Sequence, residues 1–228
     1  VHFVWTHLHI RNGGKGLFLE SLNNGGWDRP EYIRSGEQML ELVELEPFQK
    51  GWLAATWPDQ AGFFGDGKCA MAFMGNWMYG AQASNSASGE GLADANMGMF
   101  NMPMTSGGIG DSGDTLGGIN GWLFSSTASD AAVELMMHYV SLDIQKEDAS
   151  NGAYIPIVKG ADGSLTNPFL QQVAKNISNS EYHQIFYDQF LGADIGRVVN
   201  DVSTDLAAGI ISAEEATQAV QEAWEFNQ

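Results

Sequence analysis

Basic side chains are scarce: 10 Lys and Arg stand against 28 Asp and Glu in 228 residues, a formal net charge of −18. Charged residues total 17%, below the roughly 25% of an ordinary soluble domain. The acidity therefore comes from missing bases rather than from acidic tracts. Nucleic acid and anionic membrane surfaces are recognised through clustered Lys and Arg, so both are poor partners for this chain. Cysteine is nearly absent. Cys69 stands alone, which excludes an intramolecular disulfide and any Cys-rich metal site; within its apolar run it reads as a small buried side chain. No apolar run approaches the roughly 18–20 residues that span a bilayer. The chain opens on Val1 without a Met or a capping residue and reads as a fragment or processed product, so the missing targeting signal carries no information.

What is present centres on Gly62 to Gly80, GFFGDGKCAMAFMGNWMYG. Phe63 and Phe64 close an apolar turn, and Gly65-Asp66-Gly67-Lys68 punctuates before a new element. Cys69 to Met74 is short, apolar and glycine-bounded, the pattern of a strand buried on both faces. It delivers Gly75-Asn76-Trp77 at its carboxyl end, the edge at which open α/β sheets bind ligands. A second glycine-rich run, Gly117-Gly118-Ile119-Asn120-Gly121-Trp122, leads into a predicted strand from Gly121 to Ser125. Met97 to Met102 is a third predicted strand, stopped by Pro103.

Before this region, Val1 to Arg11 carries apolar residues at helical spacing and Asn12-Gly13-Gly14 ends it. Its His2, His7 and His9 do not form a ligand set at metal spacing and are expected to be solvated or hydrogen-bonded. Asp28 and Glu31 form a capping-box-like start, with Ile33, Gly36, Leu40 and Val43 as one helix face ahead of Pro47. Trp52 to Gln60 is an aromatic-rich connection. Ala81 to Asn96 is polar and small, a surface loop or an irregular helix end. Thr105 to Thr115 is glycine-rich but matches no phosphate-binding pattern. Ser129 is expected to cap a helix burying Ala132, Met136, Tyr139 and Val140. Three helices follow, opened by Pro168, Asp194 and Ser212, the last with Glu215 as a capping box. By the residues alone this is an α/β protein with a Trp-lined, Gly-flanked cleft.

The ordered series Phe64-x2-Gly67-Lys68-x-Ala70-Met71, Gly75-x-Trp77, Gly117-Gly118-x2-Gly121-Trp122 and Gly152-x3-Pro156 resembles the extracellular solute-binding proteins, family 1, of ABC importers. The tail Leu206-x2-Gly209-x2-Ser212-x-Glu214-Glu215-Ala216, running to Trp224, is similar to that family's C-terminal helices. The likeness covers nearly the whole chain. It departs at Cys69, usually a small residue in the family, and in length, since such proteins have two lobes and nearly twice as many residues.

The resemblance implies a periplasmic-binding-protein type II-like fold of the maltose-binding-protein kind, with most of the first lobe missing and a helix-rich C-terminal part. Residues 1–101 would belong to the second lobe, 102–163 to a hinge strand and the first lobe, and 164–228 to helices returning to the second. It implies a monomeric periplasmic or extracellular protein, not an enzyme, without cofactor or metal. Its ligand would be a small solute, a sugar or oligosaccharide, bound between lobes and passed to a membrane permease. Trp77 and Trp122 would stack on sugar faces, Asn120 would read hydroxyls, and Gly117 and Gly118 would allow close backbone approach. Trp5 and Asp188 are further ligand-binding candidates. A glycoside-acting enzyme would need two carboxylates about 5–10 Å apart, which the strand ends do not supply. A structural or adhesive sugar-recognition module without transport remains the other class.

Overall fold

Helix α1 runs His2–Asn24, with one non-helical residue, Gly14, at φ 62° and ψ −173°. Only glycine takes that conformation without strain, so the kink falls where the Gly13-Gly14 pair ends the first apolar pattern. The computed structural model describes residues 1–152 and 154–228. The remaining helices are α2 (Pro30–Val43), α3 (Trp57–Gly65), α4 (Met78–Ser84), α5 (Asp130–Tyr139), α6 (Leu142–Ser150), α7 (Pro168–Asn179), α8 (Tyr187–Phe190), α9 (Ala193–Ala207) and α10 (Ala213–Phe226). Two short strands, β1 (Thr115–Gly117) and β2 (His183–Ile185), pair in parallel with Thr115 opposite His183 and Gly117 opposite Ile185.

Two compact units result. The first comprises Val1–Gly75, Gly80–Gly118 and Ser180–Gln228; the second comprises Asn76–Tyr79 and Ile119–Asn179. Helix α7 groups with the second unit.

The core of the first unit gathers Trp5, Leu8 and Phe18 of α1, Trp27 from the connection after it, Tyr32 and Met39 of α2, Tyr187, the inner face of α9 (Ile195, Val199, Val202, Leu206) and Ala216 and Val220 of α10. Helix α10 opens with the expected capping box: Ser212 Oγ accepts from the Glu215 amide at 3.1 Å, and Glu215 Oε2 from the Ser212 amide at 2.8 Å. Such a cap is worth about 1 kcal/mol. A Cβ on Gly36 would lie 2.7 Å from Ala213 Cβ, so α2 approaches the start of α10 more closely than any larger residue permits. The second unit has a much smaller core of Ala149, Leu165 and Leu170, with Ile155 and Ala174 packed against it.

Several expectations are overturned. Cys69–Met74, Met97–Met102 and Gly121–Ser125 form no strand. An apolar run becomes a strand only where a neighbour pairs its backbone, and among the described residues no backbone hydrogen bond links Cys69–Met74 or Ile119–Phe124 to another segment. Phe63 and Phe64 lie inside α3, whose capping box is Thr56 with Asp59, not in a turn. Helix α2 is capped by Arg29 without a side-chain bond, Pro30 occupying its first turn; Asp28 and Glu31 form no capping box. Its buried residues are Tyr32, Ser35, Gly36 and Met39, a face rotated by about one residue from the Ile33–Leu40 stripe. The Ser129 cap is present, its Oγ accepting from the Ala132 amide at 3.4 Å, but α5 has no buried residue.

Candidate functional site

In the second unit, every residue from Ile119 to Asp130 is exposed. Trp122 shows 67% of its surface and stands edge-on to Tyr139, ring centroids 6.1 Å apart. Tyr139 in turn lies 6.4 Å from Tyr154. The group is held from beneath by Gln145, which is 1% exposed. Gln145 Nε2 donates to the Tyr154 hydroxyl at 2.6 Å, and its Oε1 accepts from the Ile157 amide at 3.2 Å. The Tyr154 hydroxyl donates to Asp148 Oδ2 at 2.5 Å; desolvation and this bond raise its pKa above the usual phenol range. The result is a row of three aromatic rings on a clamped base, with Asn120 exposed on the same segment as Trp122. Rings so arranged offer apolar faces to C–H groups, while Asn and Asp side chains serve hydroxyls. Trp77, also in this unit, is 41% exposed.

The sequence reading missed Tyr139 as a surface ring, having placed it on a buried helix face, and it missed Tyr154 and Gln145. The spacing of Tyr139 and Tyr154 around the polar α6 was the available signal.

The remaining candidates lie in the first unit. Gly117 ends β1 and Gly118 follows it, and a Cβ at either would meet protein: the His183 ring at 2.6 Å and the Phe186 ring at 3.1 Å, respectively. Their missing side chains make room for β2 and for the residue that follows it. Trp5 is 0% exposed and belongs to the core. Asp188 is half-buried on α8, its Oδ1 3.7 Å from His2 Nε2 and its Oδ2 accepting from Asn200 Nδ2 at 3.5 Å.

The first unit also has a concave region of about 510 Å³ at the α1 kink, lined by Gly13–Leu17, Ile109–Asp111, Asp114, Glu181 and Tyr182 among others. Lys15 Nζ sits 5.8 Å from the Tyr182 ring centroid there. Among the described residues, no group of three or more His, Cys, Asp or Glu is placed to hold a metal ion. No helix among them is long and apolar enough to cross a membrane.

No protein-family model and no curated protein matches this chain. Solved structures do. One comes from work on xylan utilization by the thermophilic bacterium Caldanaerobius polysaccharolyticus: TM-score 0.80, 20% identity, 97% of this chain and 57% of that one. Another is a chitin oligosaccharide binding protein: TM-score 0.82, 24% identity, 98% of this chain and 56% of that one. The chain thus shares its fold with both over nearly its whole length, and spans little more than half of theirs.

Proposed function

We propose that this chain is part of an oligosaccharide-binding protein that serves an ABC importer as its substrate-binding component. The observation that carries the reading is the row of Trp122 and Tyr139, exposed, and Tyr154, half-buried, in the second unit, on a fold similar to that of a chitin oligosaccharide binding protein. Trp122 and Trp77 act as stacking platforms, and Asn120 and Asp148 meet hydroxyls. Gly117, Gly118 and Asp188 are retained as candidates, whereas the burial of Trp5 favours a packing role. The first unit corresponds to the second lobe of such proteins and the second unit to part of the first. Delivery to a membrane permease and a periplasmic or extracellular location follow from this reading.

Titration of the 228-residue chain with xylohexaose and chitohexaose, monitored through tryptophan indole NMR signals, tests the binding. Saturable shifts at the Trp122 indole are expected for at least one sugar. Unmoved Trp77 and Trp122 signals with both sugars would remove the reading. The transport role is tested separately, by loss of uptake of the bound sugar when the encoding gene is deleted.

A further inference from the structure

Helix α1 carries three of the chain's five histidines; the structure buries His9 and leaves His2 and His7 half-buried. His9 is the deepest, 4% exposed. Its ring is enclosed by Trp5 at 4.5 Å, Tyr32 at 4.6 Å and Tyr187 at 5.7 Å between centroids. Neither ring nitrogen has a hydrogen-bond partner. The titratable groups facing it are Tyr32 from α2 and Tyr187 from α8, both neutral phenols whose pKa burial raises. Helix α9, which also packs on α1, turns Asp194, Arg197 and Asp201 to solvent. No carboxylate is therefore at hand to receive a proton-bearing imidazolium.

A buried cation without a counter-ion or acceptor is strongly disfavoured. Aromatic faces attract cations, but these rings stand edge-on or tilted, at 50–65°, and that attraction is the weaker effect. We propose that His9 is an acid-sensitive latch: the neutral ring closes the joint between α1, α2 and α8, and mildly acidic medium loosens that joint because the ring takes up a proton only when the joint opens. Burial holds its pKa down to about 3, against 6.5 for the unfolded chain. Folding thus favours the neutral ring. The stabilisation is complete above pH 6.5 and is lost as pH falls from there towards 3. His7 is held to about 3 by burial and by Arg11, and His2 to about 4 by burial against the opposing pull of Asp188, so the same end of α1 responds in the same sense.

The inference does not depend on sugar binding by the second unit. Acidification also relieves repulsion among the excess carboxylates, so the test is differential. Urea unfolding of the wild-type chain and of His9→Phe is compared at pH 7.5 and pH 5.0. The His9 contribution raises the wild-type unfolding constant about 30-fold over that interval, and the variant lacks this increment. Parallel pH dependences in the two proteins would overturn the proposal. Should His9→Phe fail to fold, NMR titration of the wild-type imidazoles decides. A His9 ring that stays neutral in the folded chain to pH 5, while amides of α1 and α2 lose exchange protection, supports the latch. A ring that titrates near 6.5 in the folded chain, or unchanged protection, overturns it.

Discussion

Arg11 Nη1 donates to the main-chain carbonyl of Asp114 at 3.0 Å, across 103 residues of sequence. The same guanidinium donates to the carbonyls of Met102 (3.2 and 2.9 Å), Asp111 (2.9 Å) and Ser112 (3.3 Å). In return, the carbonyls at the end of the first part of α1 accept from that loop: Asn12 O from the Ile109 amide at 3.2 Å and Arg11 O from the Gly110 amide at 3.1 Å. Helix ends leave carbonyls without intrahelical partners, and here residues 109 and 110 satisfy them. The glycines that permit it are tight, a Cβ on Gly110 falling 2.1 Å from Ile10 O. Arg11 and its neighbours thus tie the segment that ends in β1.

Arg11→Met leaves four carbonyls without their donor in a partly buried setting. Hydrogen bonds to charged groups are worth about 1.5–3 kcal/mol each and are not additive, so a loss of about 3 kcal/mol in urea unfolding is expected. Arg11→Lys, a point charge in place of a planar fork, is expected to recover less than half. A loss below about 1 kcal/mol for Arg11→Met would show that the loop is held by other means.

Glycine positions separate close packing from open surface. Gly196→Ala places a Cβ 2.5 Å from the Asp188 carbonyl oxygen, where α9 meets α8. Overpacking of this kind costs about 1–3 kcal/mol. Gly80→Ala, inside α4 with no atom within 4 Å of the added carbon, is expected to stabilise by about 0.5–1 kcal/mol through helix propensity. Thermal melts read both signs, and destabilisation by Gly80→Ala would contradict the open placement.

The tryptophans divide by burial. Trp5→Ala, at a core position, is expected to cost about 3–5 kcal/mol of stability. Trp77→Ala and Trp122→Ala, both exposed, are expected to move the unfolding midpoint little. Each should weaken oligosaccharide affinity at least about tenfold, equivalent to about 1.4 kcal/mol. Calorimetric titration beside melts of the free protein measures both. Intact affinity in both surface variants would transfer the site elsewhere.

Apolar side chains of the second unit stand in solvent, Leu123 at 100%, Leu135 at 65% and Met137 at 64% exposure. Contiguous apolar surface binds hydrophobic dyes. Strong dye fluorescence is expected from the native chain, reduced by Leu123→Gln with Met137→Gln. A chain that binds no dye when folded would show this surface to be covered.

Local chemistry made several elements legible in advance. Ser129 as a cap, Ser212 with Glu215, the Gly14 break and the inner stripe of α9 depend on side chains within a few residues of each other, so a linear reading finds them. The aromatic row was half legible: Trp122 announced itself between glycines, but Tyr139 and Tyr154 joined it only through the buried amide of Gln145. The expected strands failed because their partners are not local. A run such as Cys69–Met74 specifies that it is apolar, whereas pairing is a property of whatever lies beside it. Burial of Arg11 and of His9 was likewise invisible, since both look like ordinary polar residues on a short helix. Only the tertiary structure surrounds one with carbonyls and the other with rings, because desolvation is decided by distant segments rather than by the residue itself.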